Sequence, residues 1–304
     1  MIDVRKVHLL RVLREYGTVT AAAAALRLTP SAVSQQIRAL ADEVGVELLR
    51  REGRGVAITS AAELLIEHGD RMAAEWERVR AELDALAVDE PTAMVIGGFP
   101  SALAGLAVPA ASRLRASDPR LRITLTEAET GECFDMLSTR QLDIAVIVPL
   151  PSNPAPDDPR YEQHPLLDDP LDLLVAATHP LATRPAVALA DAAHDDWIAA
   201  PNSIDQHHLI LAACAAAGFA PRIAHAAQEW NAICALVAGG YGVCLLPRLA
   251  PVAADHAVVR LPLTGNPAPF RRLMTCVRRG SSGQRAVSLG LTALRQVAST
   301  VEGC

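Results

Sequence analysis

Apolar residues recur at helical spacing from the start of the chain. Val4, Val7, Leu10, Val12 and Leu13 mark one face of a helix over residues 4–16, which Gly17 ends. Thr18 is placed to cap a short second helix, Ala21 to Leu26, whose alanines let neighbours approach closely. After the turn "RLTPS", Thr29 can cap a third helix with Pro30 at its first position, where proline's missing N–H costs nothing. This helix is expected to run to about Glu43. Ala32, Val33, Ile37 and Leu40 form its apolar face, with Ser31, Ser34, Gln35 and Arg38 mostly opposite. "RREGRGVAIT" then predicts two short strands around Gly53–Gly55, a wing. Residues 60–88 read as one long helix. Leu65, Met72, Val79 and Leu86 repeat every seven residues, and Ala62, Gly69, Trp76 and Leu83 repeat in the complementary position. That alternation is a heptad seam, which predicts pairing with a second helix; packing on the chain's own body gives the same pattern. Pro91 closes the segment.

From Ala93 the texture changes. "AMVIGGF", "RITLTEA" and "LDIAVIV" read as strands, separated by helices over about Ser101–Ala116 and "GECFDMLSTRQ". The proline-rich "PLPSNPAPDDP" reads as an exposed loop, and a second set of elements starts at "LDLLVAA". "AHDDWIAA", "PRIAHAA" and "GVCLLP" are further strands; "SIDQHHLILAACAAAG", "WNAICALVAGG" and 284–298 are helices. Alternating strand and helix predict an α/β domain with a mainly parallel sheet.

Charge sharpens this division. The chain carries net −6, yet residues 1–60 hold nine basic against six acidic side chains (+3), and the rest holds 19 against 28 (−9). A basic head on an acidic body suits a polyanionic partner for the head. Two short helices joined by a tight turn, the second polar outside, form the helix-turn-helix pattern. Its second helix would enter the major groove of double-stranded DNA, where Gln and Arg make paired hydrogen bonds to bases. Arg51 and Arg54 on the wing would reach phosphate or the minor groove. The arginine bias itself, with Lys6 the single lysine, points to GC-rich coding rather than to DNA.

Other chemistry is thinly represented. Cys133, Cys214, Cys234, Cys244, Cys276 and Cys304 are never closer than ten residues, so neither a disulfide framework nor a zinc site is expected. Adjacent His207 and His208 point apart on a helix, against a joint metal site. No GxSxG, GxGxxG or GxxxxGK[ST] occurs, so no enzyme, catalytic residue, cofactor or metal is expected. The charged N-terminus "MIDVRKVHLLRVLREYG" is unlike a secretory signal, and no long uncharged apolar run suggests a membrane span. A cytoplasmic protein is expected.

Over nearly its full length the chain resembles the LysR-type bacterial transcriptional regulators. The motif residues are Thr18–Leu26, Ser34, Gln36, Ile37, Leu40, Gly45, Leu48, Arg51, Arg54, Val56, Ile58 and Thr59, together with "RLRASDPRLRITLTEAETGECFDMLSTRQLDIAVI" and "ALVAGGYGVCLLPR". Leu49, Ala41 and Ala62 depart from the family's usual Phe, Glu and Gly. The resemblance implies an N-terminal winged helix-turn-helix (1–59), a dimerising linker helix (60–90) and an effector domain similar to periplasmic binding proteins (91–304). That domain would comprise two α/β subdomains, about 92–166 with 268–304 and about 167–267, around a small-molecule cleft. It further implies homodimers or homotetramers bound to operator or promoter DNA, with RNA polymerase as a further partner.

Within this frame Pro30, Ser31, Ser34, Gln35, Arg38, Arg51 and Arg54 are the expected DNA contacts, against the alternative of a solvated helix face. Leu65, Met72, Trp76, Val79, Leu83 and Leu86 are the expected dimer seam. Effector contacts are sought at strand-to-helix junctions: Pro100, Ser101, Thr130, Asn202, Ser203, Trp230 and Asn231. Simple helix capping explains most of these residue types equally well. Two rivals are a redox-sensing regulator of the same family, with Cys214 and Cys234 in the second subdomain, and a solute-binding protein without a DNA role.

Overall fold

The structure is a computed structural model that describes residues 4–52, 55–86, 92–200, 204–252, 254–265 and 268–302. It divides into two compact units, Met1–Val79 and Arg80–Cys304.

The first unit opens with helices α1 (Val4–Tyr16), α2 (Val19–Ala25) and α3 (Pro30–Val44). Local chemistry fixes their ends. The Thr18 hydroxyl accepts from the Ala21 N–H at 3.1 Å and the Thr29 hydroxyl from the Ala32 N–H at 3.2 Å. Gly45 closes α3 in a left-handed conformation, φ 75°. The antiparallel hairpin β1 (Leu49–Glu52) and β2 (Gly55–Ile58) is the wing. Thr59 follows; its hydroxyl donates to the Glu47 carbonyl at 2.8 Å and accepts from the Ala62 N–H, capping the long helix α4 (Ser60–Leu86). Leu10, Val33, Ile37, Leu40, Leu48, Ala62 and Ile66 make one core. Gly69 lets α4 close on α1, because a Cβ there would lie 2.7 Å from Val7 Cγ1. A buried ion pair, Arg11–Asp70, ties the same two helices. The seam is therefore split. Its first turns, Ala62, Leu65 and Gly69, pack on the head, whereas Met72, Trp76, Leu83 and Leu86 are exposed. Val79 is half-buried.

The second unit begins with β3 (Ala93–Gly98), then α5 (Pro100–Ala102), a π-helical turn Leu103–Ala107 and α6 (Val108–Ser117). The sequence predicts one helix here. Pro109 has no N–H to complete the α-ladder, and the π turn precedes it. There follow β4 (Arg122–Glu127), α7 (Thr130–Ser138), β5 (Ile144–Ile147), β6 (Tyr161–Ala176), β7 (Val187–Ala188), β8 (Asp196–Ala199) and α8 (Ile204–Ala216). The chain ends with β9 (Arg222–Ala226), α9 (Trp230–Ala238), β10 (Cys244–Pro247), β11 (Val258–Thr264), β12 (Phe270–Arg278) and α10 (Arg285–Glu302).

The main sheet runs β4-β3-β5-β12-β6-β11-β7, with β10 also paired to β6. It is mixed rather than mainly parallel: β3 is parallel to β4 and β5, but β6 and β12 are antiparallel to each other, and β12 is antiparallel to β5. β8 and β9 pair separately, in parallel. The 16-residue β6 is the main departure from expectation. Its start, "YEQHPLLDDP", holds two prolines and several charges and does not read as a strand. It pairs with β12 nonetheless, and a register shift beside Pro165 absorbs one extra residue. Beyond Pro170, β6 pairs with β10 and β11 instead. β6 thus crosses between two lobes, and β12 lies in the first of them. In the first, alternate residues of β5 face opposite cores: Ile144 and Val146 pack towards α6 and α10, Ala145 and Ile147 towards α7. In the second lobe Trp197 and Leu245 lie in one core, Ile198 and Leu246 in the other.

Candidate functional site

The head presents one polar surface. On α3, Val33, Ile37 and Leu40 are buried, while Pro30, Ser31, Gln35 and Arg38 are exposed and Ser34 is half-buried. The hydroxyls of Thr29 and Ser31 lie 3.1 Å apart at the helix start. Arg51 is exposed on β1; Arg54 lies outside the described residues. Several basic side chains of the head are used internally: Lys6 meets Glu43 at 3.2 Å, Arg14 meets Glu63 at 3.0 Å, and Arg11 meets Asp70. Arg38 and Arg51 make no such pair among the described residues. Arg27 is also exposed, at a left-handed turn position (φ 55°) just before α3. The sequence marks it only by its place in the turn.

The second unit holds a cleft of about 170 Å³ at the crossover. Its first wall is the junction after β3, Phe99, Pro100 and Ser101, with Glu127 at the end of β4, Glu129 just beyond it and Val148 after β5. Leu209 of α8, Gln228, Glu229 and Trp230 at the start of α9, and Pro247 of β10 face them. Arg271 of β12 completes the lining. Helices start at Pro100 and Trp230, and neither N-cap residue, Phe99 or Glu229, provides a side-chain cap. The dipoles of these helix starts favour negative charge.

Arg271 is the residue that sequence reasoning missed. It is 8% exposed, its Nε donates to Asp169 Oδ2 at 2.9 Å, and its Nη2 donates to Ser101 Oγ at 2.7 Å. Its guanidinium carbon lies 4.8 Å from the Phe99 ring centroid. Asp169 sits opposite Arg271 in the β6–β12 register, is 1% exposed, and its other oxygen accepts from the Leu249 N–H at 3.1 Å. Burial pushes the Asp169 carboxyl above its usual range, outweighing the pull of Arg271. The available signal was alternation: in "FRRLMT" one arginine must face inward, and the partner of an inward arginine is an aspartate in "LDDP". The neighbouring pair Asp168–Arg272 points outward at 2.8 Å, and the hydrogen bond from Arg272 holds the Asp168 carboxyl low.

Of the expected effector contacts, Pro100, Ser101 and Trp230 line the cleft. Two do not. The Thr130 side chain is fully buried and accepts from the Val148 N–H at 3.2 Å, a structural bond between α7 and the end of β5. Asn231 is exposed and its Oδ1 lies 2.9 Å from His256 Nε2. Asn202 and Ser203 lie outside the described residues.

Cys133, Cys214, Cys234, Cys244 and Cys276 are all buried. Cys214 and Cys234 belong to different cores, on either side of the second lobe's sheet. Burial pushes the Cys214 and Cys244 thiols up to about 12 and raises Cys276 as well. At pH 8 a thiol titrating near 12 is ionised in about one molecule in ten thousand, and the thiolate is the reactive form. In a Cys304→Ser variant, a disulfide dye is therefore expected to label almost nothing until guanidinium is added, and then five thiols. Fast labelling of the native protein, or a peroxide-induced disulfide seen by mass spectrometry, would contradict this.

Among the described residues no helix is long and apolar enough to cross a membrane, and no group of three or more His, Cys, Asp or Glu is placed to hold a metal. Comparison with known proteins agrees with the two-part geometry. Residues 4–63 match the model of bacterial regulatory helix-turn-helix proteins of the lysR family, and 91–299 match the LysR substrate binding domain. The transcriptional dual regulator GltC of Bacillus subtilis is 28% identical over 71% of each chain. The transcriptional dual regulator OxyR of Escherichia coli is 27% identical over 92% of this chain and 90% of its own. In fold, full-length OxyR from Pseudomonas aeruginosa superposes with TM-score 0.65 at 20% identity, covering 98% of this chain and 97% of that one. The BenM effector binding domain with its effector benzoate superposes at 0.63 and 22% identity over 71% of this chain and 96% of that domain. A helix-turn-helix head, a long helix and a two-lobed domain around a cleft are thus matched along the whole chain, which belongs to the LysR family of DNA-binding transcriptional regulators with an effector-binding domain.

Proposed function

We propose that α3 reads operator DNA in the major groove through Ser31, Ser34, Gln35 and Arg38, with Pro30 and the wing arginines Arg51 and Arg54 against the backbone. The observation that carries this reading is the division of α3 into a buried apolar face and an exposed Ser/Gln/Arg face beginning at its N-terminus. Phosphate contacts supply affinity independent of sequence, and base contacts supply selection. The protein works as a homodimer or homotetramer in the cytoplasm, regulates genes rather than catalysing a reaction, and acts on RNA polymerase at the promoter. Its effector binds the cleft at Ser101, Trp230 and Arg271. Redox sensing is not favoured, because the described cysteines are buried and burial holds Cys214, Cys244 and Cys276 protonated.

Gln35→Ala and Arg38→Ala are each expected to weaken specific binding by about 1–3 kcal/mol, while Arg51→Ala lowers affinity for all sequences and flattens the salt dependence. Immunoprecipitation from the native host with sequencing of the bound DNA tests the whole reading. Sharp promoter peaks sharing an inverted repeat are expected; a profile no different from an untagged control removes the DNA-binding role.

A further inference from the structure

Resting on the reading that α3 enters operator DNA, we infer that Arg27 is a further DNA contact, which grips a backbone phosphate from the turn between α2 and α3. Its backbone points there first. The Arg27 N–H donates to the Ala24 carbonyl at 3.1 Å and the Leu28 N–H to the Ala23 carbonyl at 2.8 Å. This pair of bonds closes α2 and holds Arg27 in the left-handed region, φ 55°. A Cβ crowds the following carbonyl oxygen in that region, so glycine is the usual occupant. The chain itself follows this rule elsewhere. The same two bonds end α8 and α9, and there the left-handed residue is Gly218 (φ 87°) or Gly240 (φ 76°).

Among the described residues one other non-glycine residue has positive φ, Arg140 after α7 (φ 60°), and it engages a partner within the chain. Arg27 differs. It is exposed, and its side chain makes no hydrogen bond, ion pair or ring contact among the described residues. An unfavourable backbone is thus kept for a side chain that nothing in the protein uses. Strained positions of this kind gather at functional sites.

Place and charge name the use. Arg27 lies three residues before Pro30, and residues 27–31 are all exposed and lead straight into α3. Between Glu15 and Asp42 the chain has no carboxylate, and its two charges are Arg27 and Arg38. The whole helix-turn-helix segment therefore offers only positive charge to a polyanion. Arg38 lies on α3, beyond its first turns, and is assigned to base edges; Arg27 lies before the helix. With the start of α3 in the major groove, a long side chain at this turn meets the strand that borders the groove. A guanidinium matches a phosphate through two parallel N–H···O bonds. Such a contact reads no sequence but fixes the register in which α3 reads it.

The test uses the full-length protein, the DNA fragment recovered by the immunoprecipitation and a shuffled fragment of the same length and composition. Affinity is measured against salt concentration for wild type, Arg27→Asn and Arg27→Lys, with thermal unfolding of each protein alone. Asparagine is uncharged and enters the left-handed region more readily than arginine. Arg27→Asn is expected to bind both fragments roughly tenfold more weakly at low salt and to unfold at or above the wild-type temperature. Its slope of log affinity against log salt should be shallower by about 0.9 for each head bound. Arg27→Lys keeps the charge and should keep most of the slope. A wild-type slope in Arg27→Asn overturns the phosphate contact; joined to a lower unfolding temperature, it shows that the side chain serves the fold. A loss confined to the recovered fragment overturns it too, since that marks a base contact. A wild-type protein that prefers neither fragment at any salt overturns the operator reading of α3 instead.

Discussion

Replacing Asp169 by alanine is expected to cost about 3–5 kcal/mol of stability in the effector domain, the toll of leaving a buried charge without its partner. Arg271 would keep the Ser101 hydroxyl and the Phe99 ring but lose its carboxylate, and the Leu249 N–H would lose its acceptor. The pair is not held because ion pairs are strongly favourable. Burial already pushes the Asp169 carboxyl above its usual range, so desolvation exceeds the attraction of Arg271. It follows that removing both charges is far milder than removing one. Asp169→Leu/Arg271→Met should unfold within about 1–2 kcal/mol of wild type in urea, while either single change falls well below it. Additive single effects would show that the two groups act independently and would contradict the buried-pair account. The double variant also separates stability from function: it should fold and bind DNA, yet fail to respond to effector, because Ser101 has lost the group that orients it.

That pair shows where the sequence speaks clearly and where it does not. The head was legible nearly residue by residue. Its caps Thr18 and Thr29, its Pro30 start and its Gly45 stop act within a few residues, so local chemistry alone fixes the helices. Strands β3 and β5 were legible because they are buried and continuous, and β4 because Ile123 and Leu125 alternate with polar residues. The first half of β6 was not, since Pro165, Pro170 and the acidic residues around them mimic a loop; only pairing with β12, more than a hundred residues away, makes it a strand. The cleft suffered in the same way. Strand-to-helix junctions flagged Pro100, Ser101 and Trp230, but the same rule flagged Thr130 and Asn231, whose side chains serve other bonds. Arg271 enters the cleft from the last strand of the sheet, and no short-range pattern brings it next to Ser101.

Met72→Glu with Leu83→Glu is expected to turn an oligomer into monomers without unfolding the chain. The argument rests on what each seam position touches. Ala62 and Gly69 are spent on the head, where a Cβ at Gly69 would collide with Val7, so these positions are not available to a second chain. Further along α4, Met72 is 57% exposed, Trp76 52%, Leu83 52% and Leu86 81%. Large apolar side chains exposed in a row along one helix mark an interaction surface. Their spacing keeps the heptad, which suits a second helix rather than a flat surface. Because Met72 and Leu83 are already exposed in the single chain, glutamate there should leave the unfolding temperature of the monomer unchanged. In a pair of helices the same glutamates would be buried with like charge facing like charge, at a cost of several kcal/mol. Light scattering should therefore report half or a quarter of the wild-type mass, with secondary structure retained by circular dichroism. DNA affinity should fall steeply, since one head alone reaches one half-site. Unchanged mass in the double variant would place the assembly contact elsewhere and leave these four side chains without a role in it.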